Sequence, residues 1–344
     1  MANGGGAPAE VIVVGAGPSG LAVSACLSLR GVPSLVLERD DCVGSLWRKR
    51  AYDRLTLHLP KEASALPHAP HPATAPAYLP RDDFARYLDG YAARGSAGRF
   101  LVVATGTYDE KFVPEVPGLE GFPGKVMHAS EYRSAVGMKG KSVLVVGCGN
   151  SGMEIALDLA EGGAITSIVV RSELHILTKR ILNLGVTLGF YLPIWMIDKV
   201  VLLLCYLVFG DTSKHGLRRP AIGPFAWKQQ TSTLPVIDVG TYKKIKSGEI
   251  QVVPAAMTSV HGNVVEFADG RRHPFDAIVF ATGYRSGIKR WLQQRSPKAE
   301  NGLYYAGLSG RGIFGSGMDA EFIAGDISKQ LQTVPGQAQG NPEH

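Results

Sequence analysis

The chain has 344 residues, 45% hydrophobic and 19% charged, with 42 glycines and a net charge of +6. That length accommodates roughly two domains, and the composition is that of a globular α/β protein rather than a disordered or fibrous one. Lysine and arginine are scattered without a basic stripe or a nucleic-acid motif; the charge points to an anionic cofactor or substrate, and no nucleic-acid partner is expected.

Residues 1–9 read as a flexible leader lacking the apolar core of a signal peptide. A strand over 11–14 then runs into Gly15-Ala16-Gly17-Pro18-Ser19-Gly20. In such a fingerprint the first glycine permits a tight turn, the second lets the backbone approach a pyrophosphate, and the third lets the helix pack close. An Ala/Leu-rich helix over 21–30 stops at Gly31 and Pro33, and a returning strand over 34–37 ends in Glu38-Arg39. A carboxylate about 20 residues beyond the glycines can bind ribose hydroxyls, so this site suits FAD. Beside it, Gly44-Ser45-Leu46-Trp47 offers a turn and an aromatic that could line a flat ring system. An apolar strand over 101–104 ends in Ala104-Thr105-Gly106.

The stretch 122–152 organises the rest. It holds Phe122, Gly124, His128 and Tyr132, then a strand over 143–146 and a second fingerprint, Gly147-Cys148-Gly149-Asn150-Ser151-Gly152. Here the returning strand ends in Arg171-Ser172, and an arginine at that place suits the 2′-phosphate of NADPH. The run 181–209 is the most apolar part of the chain. Pro193 and Asp198-Lys199 interrupt it, so two short helices are expected, buried or lying on a membrane face. Ala281-Thr282-Gly283 repeats the earlier Ala-Thr-Gly junction and marks the return to the first domain, and the polar tail 333–344 is expected to be disordered. Cys26, Cys42, Cys148 and Cys205 form neither a CxxC pair nor a metal spacing; reduced thiols are expected, and no metal. The expected fold is α/β with two dinucleotide-binding, Rossmann-like domains. The FAD domain is discontinuous (1–115 and 276–332) and the NADPH domain (116–275) is inserted in it.

These motifs resemble a flavin-containing monooxygenase, and within that class the plant YUCCA type, the indole-3-pyruvate monooxygenases of auxin synthesis. Phe122, Gly124, His128 and Tyr132 match the class signature FxGxxxHxxxY in full. Similar to the YUCCA type are Tyr52-Asp53-Arg54-Leu55, His58-Leu59-Pro60-Lys61, the VVGCGNSGME run over 145–154, and Asp238-Val239-Gly240-Thr241 with Ile245-Lys246-Ser247-Gly248. So are Gly210-Asp211-Thr212 with Gly216-Leu217-Arg218-Arg219-Pro220, and ENGLY over 300–304. The resemblance implies that NADPH reduces FAD, that dioxygen adds at flavin C4a, and that the peroxyflavin attacks a 2-oxo acid with loss of carbon dioxide. No catalytic side chain is then assigned, and His128 is expected to hold the domain junction. The expected location is the cytoplasm or the cytosolic face of the endoplasmic reticulum.

The chain departs from the family at 92–99, where a much longer, β-rich stretch is the pattern, and again between Trp291 and Glu300. A weak or silent family member would follow if the short 92–99 segment fails to hold the flavin. A flavin-dependent NADPH reductase acting on a disulfide would also have two nucleotide sites, but the missing CxxC argues against it.

Overall fold

The structure is a computed structural model that describes residues 10–92, 98–106, 110–231, 233–285, 302–308 and 312–333. The leader, residues 93–97 of the short segment, the 291–300 stretch and the tail from 334 lie outside the described residues. The chain divides into two compact units. The first comprises Met1–Arg48, Lys61–Thr107 and Ile288–His344, the second Lys49–Pro60 and Tyr108–Gly287.

In the first unit four parallel strands lie in the order Leu303–Tyr305, Gly98–Val103, Glu10–Val14, Ser34–Leu37. Val11 and Val13 are fully buried beneath the helix Pro18–Leu29. Every residue of that helix from Gly20 to Leu27 is buried, as expected of a helix that is apolar all round. The helix Gly312–Thr333 packs along it and contributes Ala320, Ile323, Ala324 and Ile327, all fully buried. Pro18 opens the first helix three residues before the expected start; proline is tolerated there because its missing N–H would be unpaired anyway. Ser34–Leu37 is an edge strand, with Leu35 and Leu37 39% and 46% exposed.

The second unit holds a five-stranded parallel sheet in the order Ile250–Val253, Ile165–Val169, Ser142–Val146, Ala277–Phe280, Lys125–His128. Val143, Leu144, Val145, Ile168, Ile278, Val279 and Phe280 have no solvent exposure. This burial on both faces explains why these strands read as continuous apolar runs. A three-stranded antiparallel meander, Met257–His261, Val264–Phe267 and Arg272–Pro274, adds a smaller core around Val265 and Phe267. Because Ala277–Phe280 pairs inside this sheet, the second unit runs to Gly287 and not to 275. It also claims Lys49–Pro60, which sequence reading assigns to the first domain. Asp53 N–H donates to Arg133 O (3.1 Å), Arg133 Nη1 to Ala51 O (2.9 Å), and Lys179 Nζ to Leu57 O (3.2 Å).

The apolar run forms two helices, Lys179–Leu188 and Ile194–Phe209. Pro193 sits at the N-cap of the second, as its ring requires. Asp198-Lys199 does not interrupt that helix, because Asp198 turns inward, with its carboxylate accepting the N–H groups of Phe225 and Ala226 (2.9 and 3.1 Å). It thereby satisfies the first turn of the helix Pro224–Thr231. The opposite face leaves Trp195, Leu203, Tyr206 and Leu207 exposed. No helix among the described residues is long and apolar enough to cross a membrane.

Candidate functional site

Each unit carries a phosphate-binding turn of the same construction. Gly15 has φ +111°, and a Cβ there would lie 2.5 Å from Ala104 O; Gly147 has φ +112°, and its Cβ would lie 2.6 Å from Ala281 O. A Cβ at Gly20 would meet Gly15 O at 1.9 Å, and one at Gly152 would meet Gly147 O at 2.0 Å. These four glycines build the turn itself. Gly17 and Gly149 differ: nothing lies within 4 Å of a Cβ at either, and both have ordinary extended backbone at a helix N-cap. Neither helix has a side-chain cap, so the first N–H groups of Ser19-Gly20 and of Asn150-Ser151-Gly152 are left to an anion. The two Ala-Thr-Gly stretches share one role, since Ala104 N–H donates to Val14 O and Ala281 N–H to Val146 O, both at 2.9 Å. Each holds its alanine carbonyl against the first glycine of its turn.

Around the first turn, Glu38 accepts the N–H of Ala16 at 2.6 Å on Oε2 and that of Asp40 at 3.1 Å on Oε1. The carboxylate therefore stands at the mouth of the turn, and each oxygen keeps a lone pair for a ribose hydroxyl. Gly44 N–H donates to Ala16 O (3.0 Å), which fixes Gly44-Ser45-Leu46-Trp47 against the same turn. The Trp47 ring meets Phe84 edge to face at 4.8 Å, and Leu46, Arg39, Thr105 and Gly106 are exposed. Sequence reasoning missed Gly307 and Asp319. A Cβ on Gly307 would strike Ser19 Oγ at 2.1 Å, its N–H donates to Asp319 Oδ2 (2.9 Å), and Ser19 Oγ lies 2.7 Å from Ser316 Oγ. These partners lie almost 300 residues from the fingerprint, and no local pattern joins them.

In the second unit a cleft of about 680 Å³ opens on the second turn. Gly147, Cys148, Gly149, Arg171, Ser172, Thr282 and Gly283 line it, as the sequence leads one to expect, together with Phe112, Glu173, Leu234 and Met257, which carry no motif. Arg171 and Ser172 are exposed at its rim. Burial pushes the Cys148 thiol up to about 12, so it stays a neutral lining group, not a nucleophile. Asn150 faces elsewhere: its Oδ1 accepts the N–H of Ile237 (2.7 Å) and ties the turn to the strand Val236–Asp238. Ser151 faces the buried Tyr52 hydroxyl, which also meets Glu154; burial first, then Glu154, raises that phenol above its ordinary value. Glu154 in turn lies 2.6 Å from His58 Nε2.

The four signature residues form scaffold. Phe122 is buried in the smaller core, and a Cβ on Gly124 would lie 2.2 Å from Asp276 O. Ser130 N–H donates to His128 Nδ1 (3.2 Å), so Nε2 carries the proton and donates to Gly283 O (3.0 Å). Burial lowers the His128 pKa, which keeps the ring neutral at pH 7. Tyr132, 2% exposed, donates to Asp158 Oδ2 at 2.6 Å. Together they hold the edge strand Lys125–His128 and Gly283 in place around the sheet.

Residues 13–78 match the NAD(P)-binding Rossmann-like domain, and residues 99–289 match the flavin-binding monooxygenase-like family. Among solved structures, the flavin-containing monooxygenase from Stenotrophomonas maltophilia superposes with a TM-score of 0.66 at 20% identity, covering 94% of this chain and 98% of that one. OTEMO in complex with FAD and NADP gives 0.72 at 16% identity, covering 95% and 85%. At such identities the likeness carries the fold. The sequence relatives are nearer. The probable indole-3-pyruvate monooxygenase YUCCA10 of Arabidopsis thaliana is 42% identical over 376 aligned positions, covering 94% of this chain and 98% of its own length. The indole-3-pyruvate monooxygenase YUCCA4 of Oryza sativa subsp. japonica is 43% identical, covering 94% and 88%. With both turns, the signature and near-complete coverage in agreement, the chain belongs to the flavin-binding monooxygenase family, among the YUCCA indole-3-pyruvate monooxygenases.

Proposed function

We propose that the chain is a FAD- and NADPH-dependent monooxygenase that converts the 2-oxo acid indole-3-pyruvate, with dioxygen, to indole-3-acetate and carbon dioxide. One observation carries the cofactor reading. The same turn is built twice, with Glu38 after the first copy and Arg171 after the second. A carboxylate takes ribose hydroxyls and would repel a 2′-phosphate, whereas a guanidinium pairs with it. The residues present fit both groups: open space over Gly17 and Gly149, uncapped helix N-termini behind them, and in the second unit an apolar-walled cleft. When bound, FAD supplies the electron storage and oxygen chemistry that no side chain can provide. The protein positions the nucleotides and excludes water, which agrees with finding no catalytic triad or carboxylate pair among the described residues of the site.

Arg171→Ala should raise the Michaelis constant for NADPH about tenfold, the worth of one exposed charge-assisted contact, and leave that for NADH unchanged. The test is steady-state NADPH and NADH oxidation together with chromatography of the acid product. A wild type that uses NADH equally well sinks the role given to Arg171. NADPH oxidation without indole-3-acetate would leave a reductase, although no disulfide joins the described residues.

For location we propose the cytosol, with the protein touching the cytosolic face of the endoplasmic reticulum through the exposed side of the helix Ile194–Phe209. Trp195, Leu203, Tyr206 and Leu207 there, with Lys199 Nζ 5.1 Å from the Trp195 ring, have the character of an interfacial helix. The wild type should float with phosphatidylcholine–phosphatidylserine vesicles, and Trp195→Ser/Leu207→Ser should stay in the soluble fraction. Equal partition of both proteins would dispose of the membrane contact.

A further inference from the structure

We propose that Cys26, His68 and Glu321 bind one zinc ion in the first unit. The three residues come from distant places: the helix Pro18–Leu29, the loop after the short helix Lys61–Ser64, and the helix Gly312–Thr333. Their donor atoms all lie within 4.8 Å of one another. Cys26 Sγ is 3.5 Å from Glu321 Oε1, and His68 Nε2 is 2.7 Å from that same oxygen. Around a tetrahedral zinc, a sulfur and an oxygen lie about 3.6 Å apart and a nitrogen and an oxygen about 3.3 Å. The thiol and carboxylate are thus already spaced as ligands. The imidazole must withdraw from that oxygen by about 0.6 Å while closing on the sulfur, which lies within 4.8 Å of it, and it is solvent-exposed.

The donor set selects the metal. Sulfur, nitrogen and one carboxylate oxygen suit zinc, whereas magnesium and calcium take oxygen ligands almost alone. Glu321 is oriented from its far side, where Oε2 pairs with Arg30 Nη2 at 2.7 Å. That guanidinium opposes a cation in the site, but it also fixes the carboxylate with Oε1 facing the other two ligands, as an outer partner does in metal sites. Without metal the three groups form a hydrogen-bonded cluster in which the Cys26 thiol donates to Glu321 Oε1. Zinc takes the place of that proton. His68 is the one non-glycine among the described residues with positive φ, at 61°. Glycine adopts that conformation without cost, so His68→Gly removes a ligand and leaves the backbone unstrained.

The experiment uses the full chain with its flavin, cleared of metal by chelator and dialysis, then titrated calorimetrically with zinc chloride. One equivalent should bind with a dissociation constant of about 1 μM or tighter, and saturation should raise the melting temperature. His68→Gly should fold as well as wild type and weaken zinc binding at least tenfold. Cobalt(II) in the wild type should give a thiolate charge-transfer band in the difference spectrum, lost in Cys26→Ser. Failure of the wild type to saturate, or His68→Gly binding zinc as tightly as wild type, overturns the proposal. The His68 result decides alone if the buried Cys26→Ser variant does not fold. The outcome is independent of the reaction, because the readouts are stoichiometry, stability and a metal spectrum.

Discussion

Gly17→Ala should empty the protein of flavin, whereas Gly149→Ala should leave it yellow but slow to be reduced by NADPH. The two substitutions are informative because the fold itself has no objection to them. Both glycines sit at φ −81° and −87°, ordinary for any residue, and an added Cβ meets no protein atom within 4 Å. The methyl group would project into the space where a pyrophosphate must approach the backbone, and the affinity loss should be about a hundredfold. With flavin and nucleotide removed from all three proteins, melting temperatures should stay near wild type. Alanine at Gly15, Gly20, Gly147 or Gly152 would instead drive a Cβ to within 2.6 Å of a backbone carbonyl and damage the turn outright. Flavin content by absorbance and stopped-flow reduction by NADPH measure the difference. The reverse pattern would mean that the two sites are exchanged.

Purified protein should carry less than one flavin per chain, with turnover rising as FAD is added. The expectation rests on the Ser34–Leu37 edge. The sheet of the first unit ends at that strand, with Leu35 and Leu37 39% and 46% exposed, and two strands further in, Leu101 of Gly98–Val103 is also 40% exposed. The alignment with the Arabidopsis relative runs over 376 positions, more than the 344 residues of this chain, so the relative carries segments that are missing here. Loss of a few hydrogen bonds and one apolar contact at the adenosine end would weaken binding by about 3 kcal/mol, roughly two orders of magnitude. Open strand edges also invite association between chains. Inserting a family-length segment between Arg94 and Phe100 should restore colour and turnover without added FAD. Full, tightly held flavin in the unaltered chain would show that the short connection suffices.

The turns were legible because their chemistry leaves so few residues to choose from: positive φ at Gly15 and Gly147, and zero clearance at Gly20 and Gly152, admit only glycine. Glu38 and Arg171 were legible for a related reason, since each ends a strand whose length is set by the crossover. The signature could be recognised from its spacing, but its work could not. That His128 bonds Gly283 and Tyr132 bonds Asp158 depends on packing across 155 and 26 residues. The cleft walls Phe112, Leu234 and Met257, and the support of Ser19 by Gly307 and Ser316, come from remote segments with no pattern of their own. Asp198 was legible as a break in the apolar run, but its capping of another helix was not, because an inward carboxylate looks, in sequence, like a solvated charge. Segment Lys49–Pro60 was misplaced because its ties to Arg133, Glu154 and Lys179 are tertiary.

The helix Gly312–Thr333 lies along the helix Pro18–Leu29, and Leu303–Tyr305 closes the far edge of the first sheet. During synthesis this sets an order. The long stretch Tyr108–Gly287 carries every strand of its five-stranded sheet and can pack while the ribosome is still working. The first unit must wait, with Pro18–Leu29 exposing a largely apolar surface, until Leu303–Tyr305 and Gly312–Thr333 emerge. A truncation ahead of Leu303 therefore damages the unit whose first strand, Glu10–Val14, is made before any strand of the five-stranded sheet.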